Sequence, residues 1–146
     1  PGAASPPKPS PRIPAQQSIS ELAVNVDLAP TIVEWAGAGL FVGRTMDGKS
    51  LVPVLNGFAA GWRDSLLLEG PDDNSGTAVP LYGAVRTQRY VYGEHQTGEV
   101  EFYDLLNDPY ELQSQHKSNS TLYQEVMGNL HQRLVALRTC VGTSCW

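Results

Sequence analysis

The strongest periodicity lies near the end of the chain. Leu122, Val126, Leu130 and Leu134 recur at spacing four, flanked by Met127 and Leu137, which predicts an amphipathic helix over residues 121–138. Thr121 and Gln124 have capping spacing at its start, and Arg133 and Arg138 suit the dipole near its end. Upstream the period falls to two. Segments 66–69, 82–87, 90–94 and 99–103 are short and rich in Tyr and Val, so they read as strands. A tight turn near Gln88 and the pair Thr97-Gly98 would join the last three into an antiparallel meander with one wet face. Residues 71–80 form a polar loop between strands.

The first third is less regular. Segment 21–28 alternates loosely and reads as a strand. Pro30 suits a first helical turn, Thr31 and Glu34 have capping-box spacing, and Gly37 is a stop, so a short helix is expected through Trp35. Gly37, Gly39 and Gly43 then make a loop, not a dinucleotide fingerprint, because Val42 occupies the third glycine's place. Residues 50–55 predict a second short helical turn, closed by Asn56-Gly57. Pro1, Pro6, Pro7, Pro9, Pro11 and Pro14 impose an extended lead-in. The expected division is 1–20 as this segment, 21–61 as the end of a main α/β domain, and 62–146 as a sheet-plus-helix subdomain. A core strand so early wants partners from preceding sequence. With no charged leader or apolar h-region after Pro1, the reading expects a piece of a longer chain.

Composition narrows the partners. The net charge is −5 and no Lys/Arg-rich face exists, which disfavours nucleic acid and anionic membranes. No apolar run approaches the ~20 residues of a membrane span.

Candidate chemistry is sparse. Asp72-Asp73-Asn74 groups hard oxygens, but an EF-hand would need Gly at position 77 and Glu at position 83, which hold Thr77 and Gly83. Gly48-Lys49-Ser50-Leu51-Val52 starts like a nucleophile elbow and ends wrongly; Ser50 reads better as a helix start. His95, His116 and His131 share no ligand spacing. Cys140 and Cys145 can close a small disulfide loop or remain reduced. Asn119-Ser120-Thr121 is an N-glycosylation sequon. A bridge and a sequon together favour a secreted, cell-surface or lysosomal protein.

Several stretches resemble the sulfatase family. They are Val26-Asp27-Leu28-Ala29-Pro30-Thr31-Ile32-Val33-Glu34-Trp35-Ala36-Gly37, then Met46-Asp47-Gly48-Lys49-Ser50-Leu51, then 66–69 and Ala84-Val85-Arg86-Thr87, then Tyr103-Asp104-Leu105-Leu106-Asn107-Asp108-Pro109-Tyr110-Glu111-Leu112, in the family's order. Asp27 is expected to accept from free helix N–H groups, and Asp104, Asp108 and Pro109 to shape a turn. Phe102 stands where many members carry Leu, and Val91 where many carry Lys. The ending through Cys140-Val141-Gly142-Thr143-Ser144-Cys145 is similar to extracellular arylsulfatases and N-acetylglucosamine-6-sulfatases.

The resemblance implies the C-terminal part of an α/β, alkaline-phosphatase-like sulfatase fold. It also implies sulfate-ester hydrolysis by a formylglycine nucleophile assisted by calcium. Neither centre can be carried over: Cys140 is followed two positions on by Gly142, and Cys145 by Trp146, not by the Pro and Arg of the nucleophile motif. No catalytic residue and no metal ligand is therefore assigned; both are expected in a preceding catalytic portion, and this chain alone is expected to be inactive. Tyr82, Arg86, Arg89 and His95 are candidates to reach a sulfated small molecule or glycan. The competing classes are a secreted glycan-binding or adhesion module and a related phosphatase or phosphodiesterase.

Overall fold

The computed structural model describes residues 18–38, 44–70 and 81–146. The polar loop 71–80, its Asp72-Asp73-Asn74 cluster and the proline-rich lead-in lie outside them, as do Gly39 and Gly43.

The expected strand over 21–28 is absent. The chain makes a 3-10 turn at Asn25–Asp27 and enters helix α1 at Leu28–Trp35. The cause is the Asp27 carboxylate, which accepts the Val24 N–H at 2.9 Å and bends the backbone where a strand would run straight. Val26 and Leu28, whose alternation suggested the strand, are about half exposed. Helix α1 therefore starts two residues before Pro30. Thr31 lies inside it and forms no capping box. Its hydroxyl donates to the Asp27 carbonyl at 2.6 Å and accepts from the Leu51 N–H at 2.9 Å. Gly37 ends the helix at φ +61°, and Gly57 closes α2, Val52–Leu55, at φ +84°, conformations that cost L side chains energy.

The strands are β1 Ser65–Glu69, β2 Tyr82–Thr87, β3 Tyr90–His95 and β4 Val100–Asp104, in one antiparallel sheet of order β1-β2-β3-β4. Register places Leu67, Val85, Tyr92 and Phe102 in one row across it. Helix α3, Thr121–Leu137, packs on this row through Leu130, Leu134 and Leu137. Phe102 stacks with Tyr90 at 5.6 Å and meets Tyr123 edge-on at 5.3 Å.

The helix seam differs from the expected stripe. A strict spacing of four drifts about 40° per step around a 3.6-residue helix, so Leu122 ends up 55% exposed. Tyr123, Met127, Leu130, Leu134 and Leu137, alternating four and three, stay on the sheet. The helix is capped by Ser120, whose Oγ accepts from the Tyr123 N–H, and not by Thr121 with Gln124. The sheet's far face is not simply wet either. Leu66, Ala84 and Val91 are buried there, and Glu111 from the loop after β4 reaches Arg86 on that side.

Leu134 is fully buried at the centre of the seam. Leu134→Ala should cost about 2–5 kcal/mol in urea unfolding. Leu122→Ala should stay within about 0.5 kcal/mol.

Candidate functional site

The ionisable side chains gather around three carboxylates. Asp27 is fully buried and faces Arg63, whose side chain is 2% exposed. The guanidinium donates twice, to Oδ2 and to Oδ1, each at 2.7 Å. Oδ1 also accepts the Lys49 N–H at 2.8 Å. The expected bonds from helix α1 to this carboxylate are replaced by bonds from the preceding turn, the Asp47-Gly48-Lys49 loop and Arg63.

Asp104, at the end of β4, is the second hub. Arg89 donates through Nε at 3.0 Å and NH2 at 2.8 Å, Tyr123 Oη at 3.0 Å, Asn107 Nδ2 at 2.9 Å and the Leu106 N–H at 3.2 Å. The Arg89 hydrogen bond, above all, holds the Asp104 carboxyl at about 2, against the opposing effect of burial. The same bond raises the Arg89 pKa. Asp108 completes the turn by accepting the Gln113 N–H at 2.8 Å.

Glu94 is the third. Its carboxylate accepts from Tyr92 Oη at 2.9 Å and from Arg138 at 3.1 Å, and contacts His131 Nδ1. Burial alone would raise its pKa; the bonds from His131 and Tyr92, with the Arg138 charge, turn the shift downward. Burial together with the Glu94 bond pushes the Tyr92 hydroxyl up to about 12.

The C-terminal loop closes onto the Asp47 loop. Cys140 and Cys145 form a disulfide. The Gly142 N–H donates to Asp47 Oδ1 at 2.7 Å, and Trp146 Nε1 to the Asp47 carbonyl at 2.9 Å. Lys49 Nζ lies 4.9 Å from the Trp62 ring centre and 5.1 Å from that of Trp146, and donates to the Gly61 carbonyl.

The four sequence-derived contact candidates do not form one cluster. Tyr82 and His95 are register partners with ring centres 5.6 Å apart. His95 Nε2 lies 3.4 Å from Glu101, and its buried Nδ1 has no hydrogen-bond partner. Arg86 shares their face but stands four residues along, roughly 13 Å away, and pairs with Glu111 at 3.3 Å. Arg89 lies in the β2–β3 turn and is committed to Asp104. His116 bonds Ser114, and His131 belongs to the Glu94 hub.

A groove of about 760 Å³ opens beside that turn, lined among others by Trp62, Arg63, Gln88, Arg89, Asn129 and Arg133. Arg133, expected only to complement the helix dipole, donates to Ser65 Oγ at 2.9 Å and to the Trp146 backbone oxygen at 3.2 Å. Its charge meets no carboxylate side chain among the described residues. No local pattern marks Arg133, because its partners are far away in sequence.

The calcium implied by the sequence resemblance finds no ligand set here. Among the described residues, no three His, Cys, Asp or Glu side chains could jointly hold a metal ion. Asp27 and Asp104 are saturated by guanidinium and N–H donors, which a cation would have to displace.

Three of these ion pairs differ in what they contribute to stability. Asp27→Ala leaves Arg63 buried without its counter-charge and should cost about 3–5 kcal/mol in urea unfolding. Arg86→Ala, at an exposed pair, should stay within about 1 kcal/mol. Asp104 has a folded pKa below its ordinary 3.8. Its contribution is complete above that ordinary value and is lost as pH falls toward about 2. Asp104→Asn should flatten this part of the acid-unfolding curve.

Comparison with known proteins places this scaffold. The family model for N-sulphoglucosamine sulphohydrolase, C-terminal, matches residues 8–140. The N-acetylglucosamine-6-sulfatase of Capra hircus is 30% identical over 92% of this chain, which spans 29% of that relative. A solved structure in complex with its substrate D-glucosamine-2-N,6-O-disulfate superposes with a TM-score of 0.65 at 28% identity, over 76% of this chain and 23% of the other. A phosphonate monoester hydrolase of Agrobacterium radiobacter superposes with a TM-score of 0.62 at 28% identity, over 77% and 24%. About three quarters of this chain thus shares its fold with these structures, and the chain belongs to the sulfatase family whose model describes the C-terminal region of N-sulphoglucosamine sulphohydrolase.

Proposed function

We propose that this chain is the C-terminal region of a sulfuric ester hydrolase acting on a sulfated sugar. The carrying observation is the family match over residues 8–140, alongside the likeness to a structure holding a disulfated glucosamine. In this reading residues 21–61 end the main α/β domain and 62–146 form the subdomain packed beside it. Exposed Leu28 and Ile32 of α1 would be covered by the main domain. The nucleophile and calcium ligands belong to the larger share of the relatives that this chain does not span. The described residues supply a wall. Tyr82 and His95 at one sheet end, and Arg133 in the groove, are its candidates to meet substrate. Arg86 and Arg89 are weaker candidates, since Glu111 and Asp104 already answer their charges. The Cys140–Cys145 bridge supports an extracellular, cell-surface or lysosomal setting.

A phosphonate-ester hydrolase is the second reading, favoured by the Agrobacterium neighbour. The polypeptide carrying this chain together with its catalytic portion should release inorganic sulfate from 6-O-sulfated N-acetylglucosamine, and hydrolyse a phosphonate monoester more slowly. The reverse preference would establish the second reading. Residues 1–146 alone should release no nitrophenol from an aryl sulfate, with or without calcium.

A further inference from the structure

Of the six asparagines, only Asn119 opens an Asn-x-Ser/Thr sequence. The fold leaves that sequence free. Asn119 is exposed on the loop between β4 and α3, and its carboxamide makes no hydrogen bond among the described residues. Elsewhere the fold uses such groups: Asn56 Nδ2 donates to the Val52 carbonyl at 2.7 Å, and Asn107 Nδ2 to Asp104 at 2.9 Å. Thr121 is also exposed, and its hydroxyl is equally without a partner there. The structural work falls on the residue between them. Ser120 is extended, at φ −64° and ψ 119°, and caps α3 through its own Oγ. The two side chains a glycosyl transferase must recognise are therefore the two that the fold does not use.

We infer that Asn119 carries an N-linked oligosaccharide, an inference that rests on the secretory setting proposed above. The donor class is a polyisoprenyl-diphosphate oligosaccharide. Asn119 Nδ2 attacks the anomeric carbon of its first sugar and a C–N bond forms. The bond from that carbon to the diphosphate oxygen breaks, the lipid diphosphate leaves, and Nδ2 loses one proton. No electron is transferred to or from an external partner. Attachment breaks no contact among the described residues. The glycan would stand at the same helix end as Leu122, the exposed leucine of the first turn of α3. It also marks this end as facing solvent in the whole protein. The catalytic portion then docks elsewhere, in keeping with exposed Leu28 and Ile32 on α1.

The test uses the whole polypeptide expressed through a eukaryotic secretory pathway. Peptide N-glycosidase in heavy-oxygen water should convert Asn119 to aspartate bearing the label. Asn119→Gln should remove one glycan's mass, whereas Thr121→Ser should keep part of it, because a serine hydroxyl still completes the sequon. Recovery of unmodified Asn119 from secreted protein whose Cys140 and Cys145 resist alkylation overturns the glycan alone. If both thiols alkylate without reductant and Asn119 is unmodified, the secretory setting falls with it.

Discussion

The buried pair of Asp27 and Arg63 is the constraint on which the N-terminal half depends. Removing two charges from water costs several kcal/mol per ion, a cost offset here by four donors aimed at the Asp27 carboxylate, although the buried Arg63 Nε stays unpaired. Two guanidinium nitrogens and the N–H groups of Val24 and Lys49 converge on one carboxylate. Those donors come from three separate stretches. Arg63 is also two residues from the start of β1. One side chain thus fixes the turn before α1, the Asp47 loop and the entry to the sheet. Its contribution is geometric: an apolar replacement would fill the space without telling these segments where to meet.

The end of the chain returns to the same place. The disulfide-closed loop hands Gly142 N–H and Trp146 Nε1 to Asp47, and Trp146 faces Lys49, whose backbone already serves Asp27. Arg133 of α3 holds Ser65 of β1 and the Trp146 backbone. The proposed boundary near residue 61 is therefore crossed by hydrogen bonds that Trp62, Arg63, Gly142 and Trp146 donate to acceptors in 21–61. Whatever packs against residues 21–61 feels the sheet and α3 through them.

The sequence was most legible where local chemistry decides the outcome. β2 runs over the residues its alternation indicated, and the turn at Gln88, the helix after Ser120 and the Asp108 turn follow from neighbours in the chain. It misled where a distant partner decides. Segment 21–28 alternates like a strand, but Asp27 is claimed by Arg63, 36 residues away, and the backbone turns to meet it. Leu122 carried the same weight as Leu134 on a spacing of four, until helical drift rotated it into solvent. Arg89 read as a candidate to reach substrate, although its acceptor lay visible in the Tyr103-Asp104 motif. That pairing needed the β3–β4 register to be known.

The same distribution of charge explains why this region does not look like a reactive centre. A catalytic carboxylate or imidazole needs an open valence toward substrate and a pKa near its working range. Here the shifts run the other way. Asp104 and Glu94 are driven further into the ionised form, and Tyr92 further into the neutral one. Each such shift increases the cost of moving a proton, which suits groups that hold elements together. His95 differs, with a buried Nδ1 lacking a partner beside Tyr82. Arg133 differs too, lining a groove and pairing with no carboxylate side chain among the described residues, although Glu21 and Asp64 line the same groove. These two exceptions are the positions on which the proposed contact with a sulfated substrate rests.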